Sequence, residues 1–265
     1  MTDSWLQPRR LLLAALGALT VFFLMAPTIV VVPMSFTASN ALTFPPEGFS
    51  TRWYEKMLTD PQWSTGFVNS AQVAVLTAML ATTLGTLAAL GTVRGRFPGR
   101  GAINALILSP LIVPVIIIAI GMFSVFVSWR VAGSVVGLVL AHTSLAVPFV
   151  VVNVATSLRT MDRNLELAAQ GLGAGPVRTF RRITLPLILP GVLAGGLFAF
   201  ITSWDEVVVS IFLTSARFRT LPVEMWEQVR QVVDPTVAAV STTLLAVTTT
   251  VLLLAFVVRR QAPVP

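Results

Sequence analysis

The sequence predicts an all-α integral membrane protein of six transmembrane helices, with both termini in the cytoplasm. Three observations predict it. Of the 265 residues, 55% are hydrophobic and only 11% are charged, where a soluble domain carries about 25% charged residues. Mean hydropathy is +0.84, more apolar surface than a soluble fold of this length can hide, though a bilayer-embedded one need not hide it. The apolar residues also gather into six runs, each near the roughly 20 residues that cross a bilayer as a helix.

The first run, Leu11 to about Met34, follows Arg9-Arg10. It is too long for a signal-peptide core of roughly 7–15 residues and no A-x-A cleavage site follows, so it reads as a retained anchor. A long connection, Ser35 to Phe67, carries Pro45, Pro46 and several aromatics. Its piece Trp53–Leu58 reads as a short interfacial helix, because Trp and Tyr favour the headgroup level. The second run spans about 68–93, the third about Ile103 to Val127 and the fourth about Ala132 to Leu158. Pro110, Pro114 and Pro148 lie within these spans, where proline frees backbone groups and bends the helix. The connection from Arg159 to Pro186 is polar by this protein's standards, and loops of that length without a function are uncommon. The fifth run, about Leu187 to Leu213, is interrupted by Ser203-Trp204-Asp205-Glu206, and the sixth covers about Val237 to Val258. Gly133/Gly137 and Gly191/Gly195 have the small-xxx-small spacing that lets helices approach closely. Residues 1–265 form a single transmembrane domain with a core of about 68–258 and no visible internal repeat.

Charge sets the direction. With six spans, one side holds Arg9, Arg10, Arg94, Arg96, Arg100, Arg159, Arg163, Arg178, Arg181, Arg182, Arg259 and Arg260 against Asp3, Asp162 and Glu166, a net of +9. The other side holds Arg52, Lys56, Arg130, Arg217, Arg219 and Arg230 against six acids, a net of zero. Asp205 and Glu206 within the fifth span close the sum at the formal +7. The Arg-rich side is cytoplasmic by the positive-inside bias. The pI of about 11.5 therefore reports topology rather than binding to nucleic acid.

Several chemistries are excluded. There is no cysteine, hence no disulfide framework, thiolate metal site or cysteine nucleophile. His142 is the single histidine, which rules out a multi-histidine metal site. Beside Thr143 and Ser144 in an apolar span, it reads as a helix-packing hydrogen bond. Lys56 is the single lysine and no G-x-x-x-x-G-K-[ST] surrounds it, so no phosphate-binding loop is present. Gly171, Gly173 and Gly175 lack the spacing and βαβ context of a dinucleotide site. No G-x-S-x-G nucleophile motif occurs.

The loop of about 159–186 is the most informative stretch. Met161 to Leu172 reads as a short helix with an Asp/Asn start, an Ala-rich centre and a Gly stop. Leu165, Ala168, Ala169 and Leu172 share one face by the 3–4 spacing, offering small apolar groups to a partner. Gly171, Gly173, Gly175 and Pro176 then force a turn, and an amphipathic basic segment leads back into the membrane.

This loop resembles the EAA loop of ABC-importer permeases, the family with the type I importer (MetI-like) fold. The family pattern is E-A-A, three residues, Gly, nine residues, Ile-x-Leu-Pro. Ala168, Ala169, Gly173, Ile183, Leu185 and Pro186 fit it at the right spacing. The pattern's first Glu is occupied by Leu167, and Glu166 lies one position earlier. Phe49-Ser50 with Trp53-Tyr54, Asn69-Ser70, and the segment Ser203 to Pro222 look like the same family. The segment Ser203–Leu213 with Arg219-Thr220-Leu221-Pro222 resembles the spermidine/putrescine branch. The resemblance implies a bacterial inner-membrane permease subunit, not an enzyme, whose loop helix couples to a separate ATPase through Glu166 and the motif residues. It implies two ATPase copies, a periplasmic substrate-binding protein and a second permease, as a homologous heterodimer. It also implies no cofactor in this chain, since ATP and Mg would be bound by the ATPase.

Acids at membrane depth cost a few kcal/mol each on insertion scales and mark a substrate path or a paired site. Ser203, Trp204, Asp205 and Glu206 are therefore the candidate substrate path. Adjacent acids on a helix point about 100° apart, so one faces a cavity, and Asp205 is favoured over Glu206. A carboxylate suits a cationic solute such as a polyamine on Coulombic grounds. The alternatives are an importer for an opine, an amino-acid-like compound or a phosphonate, a secondary transporter, a membrane-embedded enzyme, or an assembly subunit. Secondary transporters commonly show inverted repeats, an enzyme would need more than Asp205, Glu206 and His142, and the loop at 165–186 favours the importer over an assembly role.

Overall fold

The computed structural model describes residues 6–231 and 234–261, with side chains described for 11–231 and 234–253. Asp3, one of the acids in the charge balance, lies outside the described residues, as do the side chains of Arg9, Arg10, Arg259 and Arg260. Among the described residues the chain is helical, with no strand; an isolated antiparallel bridge pairs Ser215 with Phe218.

The chain packs as two compact units, Met1–Asp60 with Glu227–Leu245, and Pro61–Trp226 with Ala246–Pro265. In the first unit, α1 (Leu6–Met34) is followed by a loop and by α2 (Arg52–Thr59). The loop folds onto α2 through aromatic and polar contacts. Phe36 stacks on Phe49 with centroids 5.2 Å apart, Ser35 Oγ bonds the Tyr54 hydroxyl at 2.6 Å, and Trp53 Nε1 donates to the Thr37 carbonyl at 2.8 Å. The predicted short helix is therefore present, but Trp53 is buried beneath the loop instead of standing at a headgroup surface. Its indole N–H needs a partner when buried, and Thr37 supplies one.

The second unit contains α3 (Pro61–Arg94), α4 (Arg100–Leu108), α5 (Val115–Ser128), α6 (Val135–Thr160), α7 (Asn164–Gly171), α8 (Pro176–Thr179), α9 (Leu185–Trp204) and α10 (Val208–Leu213). Residues of α11 (Leu221–Gln231) and α12 (Thr236–Gln261) belong to both units. α3, α6 and α9 pack on one another, and α5 packs on α10. One apolar cluster gathers Val73, Ala119, Phe126, Leu138 and Leu213. A second gathers Ala81, Ala89, Val150, Ile188 and Ala199. The abundance of alanine there lets backbones approach, the usual solution where lipid offers no hydrophobic drive between helices.

Glycine carries that close approach at α9. A Cβ at Gly195 would stand 2.8 Å from Val150 Cα, and one at Gly191 would stand 2.8 Å from the Asn153 carbonyl oxygen. The Gly191/Gly195 spacing is therefore a helix-contact stripe against α6. Gly133/Gly137 is not one. Gly133 lies before α6 with φ +77°, and a Cβ at Gly137 would meet the Val131 carbonyl of the preceding turn.

Among the described residues five helices are long and apolar enough to cross a bilayer, and a sixth crossing is reached if one bent pair counts as a span. That pair is the third predicted span, and it is not one rod: residues 100–111 and 115–128 meet at 103°. Pro114, extended at φ −55° and ψ 128°, marks the break, because proline cannot donate to the ladder and clashes with the preceding turn. Pro148 stays inside a continuous α6. The fifth predicted span also shifts. The helical crossing runs Pro176–Trp204 and stops at the acids instead of continuing to Leu213. Outward-facing Phe22, Phe23, Val68, Met79 and Leu87 form apolar surface that suits lipid and would be a liability in water.

Candidate functional site

The 159–186 loop is built by backbone chemistry that its residues supply one at a time. α6 ends as Met161 turns extended. The Asp162 carboxylate then accepts the Asn164 N–H at 2.9 Å, satisfying one of the amides a helix start leaves free. At the other end, the Gly173 N–H donates to the Gln170 carbonyl at 2.9 Å and the Ala174 N–H to the Ala169 carbonyl at 3.0 Å. This is a Schellman closure, which needs a left-handed residue after the helix. Gly173 fills it with φ +84°.

The chain re-enters through Pro176 at the start of α8 and a π-helical turn, Phe180–Thr184. Pro186 follows directly. Its ring would clash with a carbonyl four residues back in a regular helix, and the widened turn ahead of it relieves that clash. Ile183 and Leu185 are half-buried and Pro186 is exposed.

α7 buries none of its residues within the chain. Leu165, Leu167 and Ala168 are exposed and Ala169 is half-buried, while Leu172 just beyond the helix is 90% exposed. Glu166 points the other way. Its Oε2 pairs with Arg94 Nη2 at 3.2 Å, and its Oε1 accepts from the Thr184 hydroxyl at 2.7 Å. Arg94, counted from sequence as a topology charge alone, is thus a partner of the loop. The signal available was its place as the last residue of a span.

The second candidate region is the break after α9. Asp205 leaves the helix at φ −104° and ψ 5°. Glu206 Oε1 accepts the Val209 N–H at 2.8 Å, so it caps α10. The two acids do not lie on one continuous helix. Two acids in succession, each costly to carry through a lipid-buried helix, instead sit where backbone amides need acceptors. Asp205 is exposed and Glu206 half-buried.

Ser203 and Trp204 face inward. Trp204 is 2% exposed, edge-on to Phe67 at 5.5 Å and stacked on Phe200 at 5.8 Å. His142 Nδ1 bonds Ser203 Oγ at 2.8 Å, and Nε2 bonds Ser210 Oγ at 3.0 Å. The histidine from α6 is therefore the packing hydrogen bond expected of it, and it clamps both sides of the break. The four predicted path residues divide into two packing groups and two acids at the break. Nearby, Asn69 Nδ2 donates to the Arg219 carbonyl at 2.8 Å and Ser70 Oγ accepts the Leu221 N–H at 2.8 Å, so Asn69-Ser70 anchors the segment after α10.

The family of binding-protein-dependent transport system inner membrane components matches residues 81–263. This chain belongs to that family. The putrescine transport system permease protein PotI of Escherichia coli (strain K12) is 35% identical over 242 residues, 89% of this chain and 85% of its own. The spermidine/putrescine transport system permease protein PotC of Haemophilus influenzae is 31% identical over 240 residues, 90% of this chain and 93% of its own. A bacterial ABC transporter that imports the acidic polysaccharide alginate has the same fold, with TM-score 0.76 at 15% identity over 99% of both chains. The MetNI methionine ABC transporter in an inward-facing conformation gives TM-score 0.64 at 17% identity, covering 78% of this chain and 100% of its own.

The binding-protein-dependent permease is thus an inner-membrane subunit of an ABC importer with the MetI-like fold. It is not an enzyme, and ATP is hydrolysed by a separate ATPase subunit. The alginate importer has also been seen with a ligand-bound periplasmic protein.

Proposed function

We propose that this permease forms half of a translocation path for a polyamine or a related amine-bearing compound, working as a heterodimer with a homologous permease. Two ATPase copies, which bind ATP and Mg, sit under the 159–186 loop, and a periplasmic binding protein delivers the solute. Six spans with both termini in the cytoplasm place that loop on the ATPase side, and the twelve arginines of that side support the orientation by the positive-inside bias.

The observation that carries the reading is α7: a helix with Leu165 and Ala168 exposed, followed by exposed Leu172, and with none of its residues buried among the described residues. Ala168 and Ala169 allow close seating in a groove, Gly173 sets its end, and Ile183, Leu185 and Pro186 lead the motion into α9. The polyamine assignment is supported by the PotI and PotC relatives and by Asp205, an exposed carboxylate at a helix break. Glu206 is committed to Val209, which favours Asp205 as the group that meets a cationic solute.

The test is ATPase activity of the reconstituted complex against binding proteins loaded with spermidine or putrescine. Stimulation supports the whole reading, whereas stimulation only by a different solute retires the polyamine assignment. Gly173→Val forces a β-branched residue into left-handed backbone, at roughly 1–2 kcal/mol. It should release the ATPase during copurification, and undiminished copurification would count against the coupling role.

A further inference from the structure

α7 has no buried apolar anchor: none of its residues is buried, and its Glu166, Leu167 and Gln170 line a cavity of about 280 Å³ together with Leu90, Arg94 and Phe180. A helix that rests over a cavity needs something else to fix it to the spans. Among the described residues, the polar side-chain bonds that join α7 to the rest of its unit are made by Glu166. One carboxylate oxygen reaches Arg94 at the end of α3 and the other takes the Thr184 hydroxyl from the π-turn before α9. Both charged side chains are largely shielded, at 24% and 15% exposure; the Arg94 contact is an ion pair, and the Thr184 hydroxyl adds a hydrogen bond to the carboxylate, stronger than its neutral equivalent.

We propose that Glu166 is an internal latch, a positioning residue that locks α7 to α3 and α9 so that a push on the loop helix moves both spans together. This deepens the importer reading and rests on it. It also gives a physical meaning to the displaced acid of the motif. A shift of one position turns a side chain by about 100°, so the carboxylate at 166 reaches Arg94 and Thr184, while Leu167, 52% exposed, borders the same cavity. On this reading the ATPase meets the outward Leu165, Ala168 and Leu172, and the charge serves within the chain.

The absence of cysteine allows a clean distance measurement. Cysteines at Gly91 in α3 and Gly171 in α7, where an added Cβ meets nothing within 4 Å, carry a pair of spin labels. The intact complex is measured free of nucleotide and trapped with vanadate. With Glu166 present, one narrow distance is expected in both states. Glu166→Gln should lose it to a broad distribution, and the charge swap Glu166→Arg with Arg94→Glu should restore it. A distance that stays narrow in Glu166→Gln overturns the latch. So does loss of the ATPase from the Glu166→Gln complex, which would put the carboxylate at the subunit contact. The labels lie within one chain, so they report on the latch even in the permease purified alone. A failure of the importer reading would show separately, as no ATPase in the complex with Glu166 intact.

Discussion

Substituting Gly195 by Ala tests whether α9 and α6 are as tightly apposed as the backbone shows. The new Cβ would stand 2.8 Å from Val150 Cα and 3.3 Å from Val150 Cγ1. Carbon atoms pack best near 3.5–4.0 Å, so the helices must part by about 1 Å at this point, and a gap of that size forfeits a quarter to a half of the dispersion well for atoms along the seam. The obstacle is main chain, so no rotamer change relieves it. Overpacking of this kind costs about 1–3 kcal/mol. Alanine also gains about 1 kcal/mol over glycine as a helix former, and a control removes that gain from the comparison. Gly121 lies inside α5, where a Cβ meets nothing within 4 Å, so Gly121→Ala receives the propensity gain without the clash. The difference between the two variants should then be about 1–3 kcal/mol, with Gly195→Ala the less stable. Reversible unfolding in mixed micelles, followed by helical circular dichroism, measures it. Equal midpoints for the two variants would refute the close approach of α9 to α6.

Three further outcomes follow from the same contacts. His142→Leu leaves the buried Ser203 and Ser210 hydroxyls without their partner, a loss of about 1–3 kcal/mol for a stranded group, read in the same unfolding assay. Asp205→Asn should lower solute uptake in proteoliposomes while the subunits still copurify, and normal uptake by this variant would remove its contact with the solute. In the first unit, burial raises the Asp234 carboxyl, but hydrogen bonds from Lys56 and Thr236 outweigh this and hold it below its ordinary 3.8. A depressed carboxylate stabilises the fold above its unfolded value and loses that contribution as pH falls through its folded one. Lys56 is 43% exposed, so Asp234→Asn should cost under about 1 kcal/mol at neutral pH, and the difference should vanish in acid below the usual carboxylate range.

The loop was the most legible part of the chain. Its helix, its Asp162 start and its Gly173 stop depend on bonds between residues two to five apart, so local sequence determines them. The acid at 166 was visible too, but not its direction: the partners Arg94 and Thr184 are 72 and 18 residues away, and only packing brings them together. The same limit applied at Ser203-Trp204-Asp205-Glu206. The acids marked an irregularity, and sequence could not tell a charged face from a helix break.

By itself, the sequence determined that this is a helical membrane protein whose 159–186 loop carries the EAA-type spacing, because apolar length, arginine bias and motif spacing each depend on residue type and order alone. The tertiary structure decided which glycines are contact surfaces, that the third span bends through 103° at Pro114, that His142 joins Ser203 to Ser210, and that Glu166 faces inward. Those outcomes depend on which backbones meet across the unit and which buried polar groups find partners there. Spacing along one helix carries no record of either.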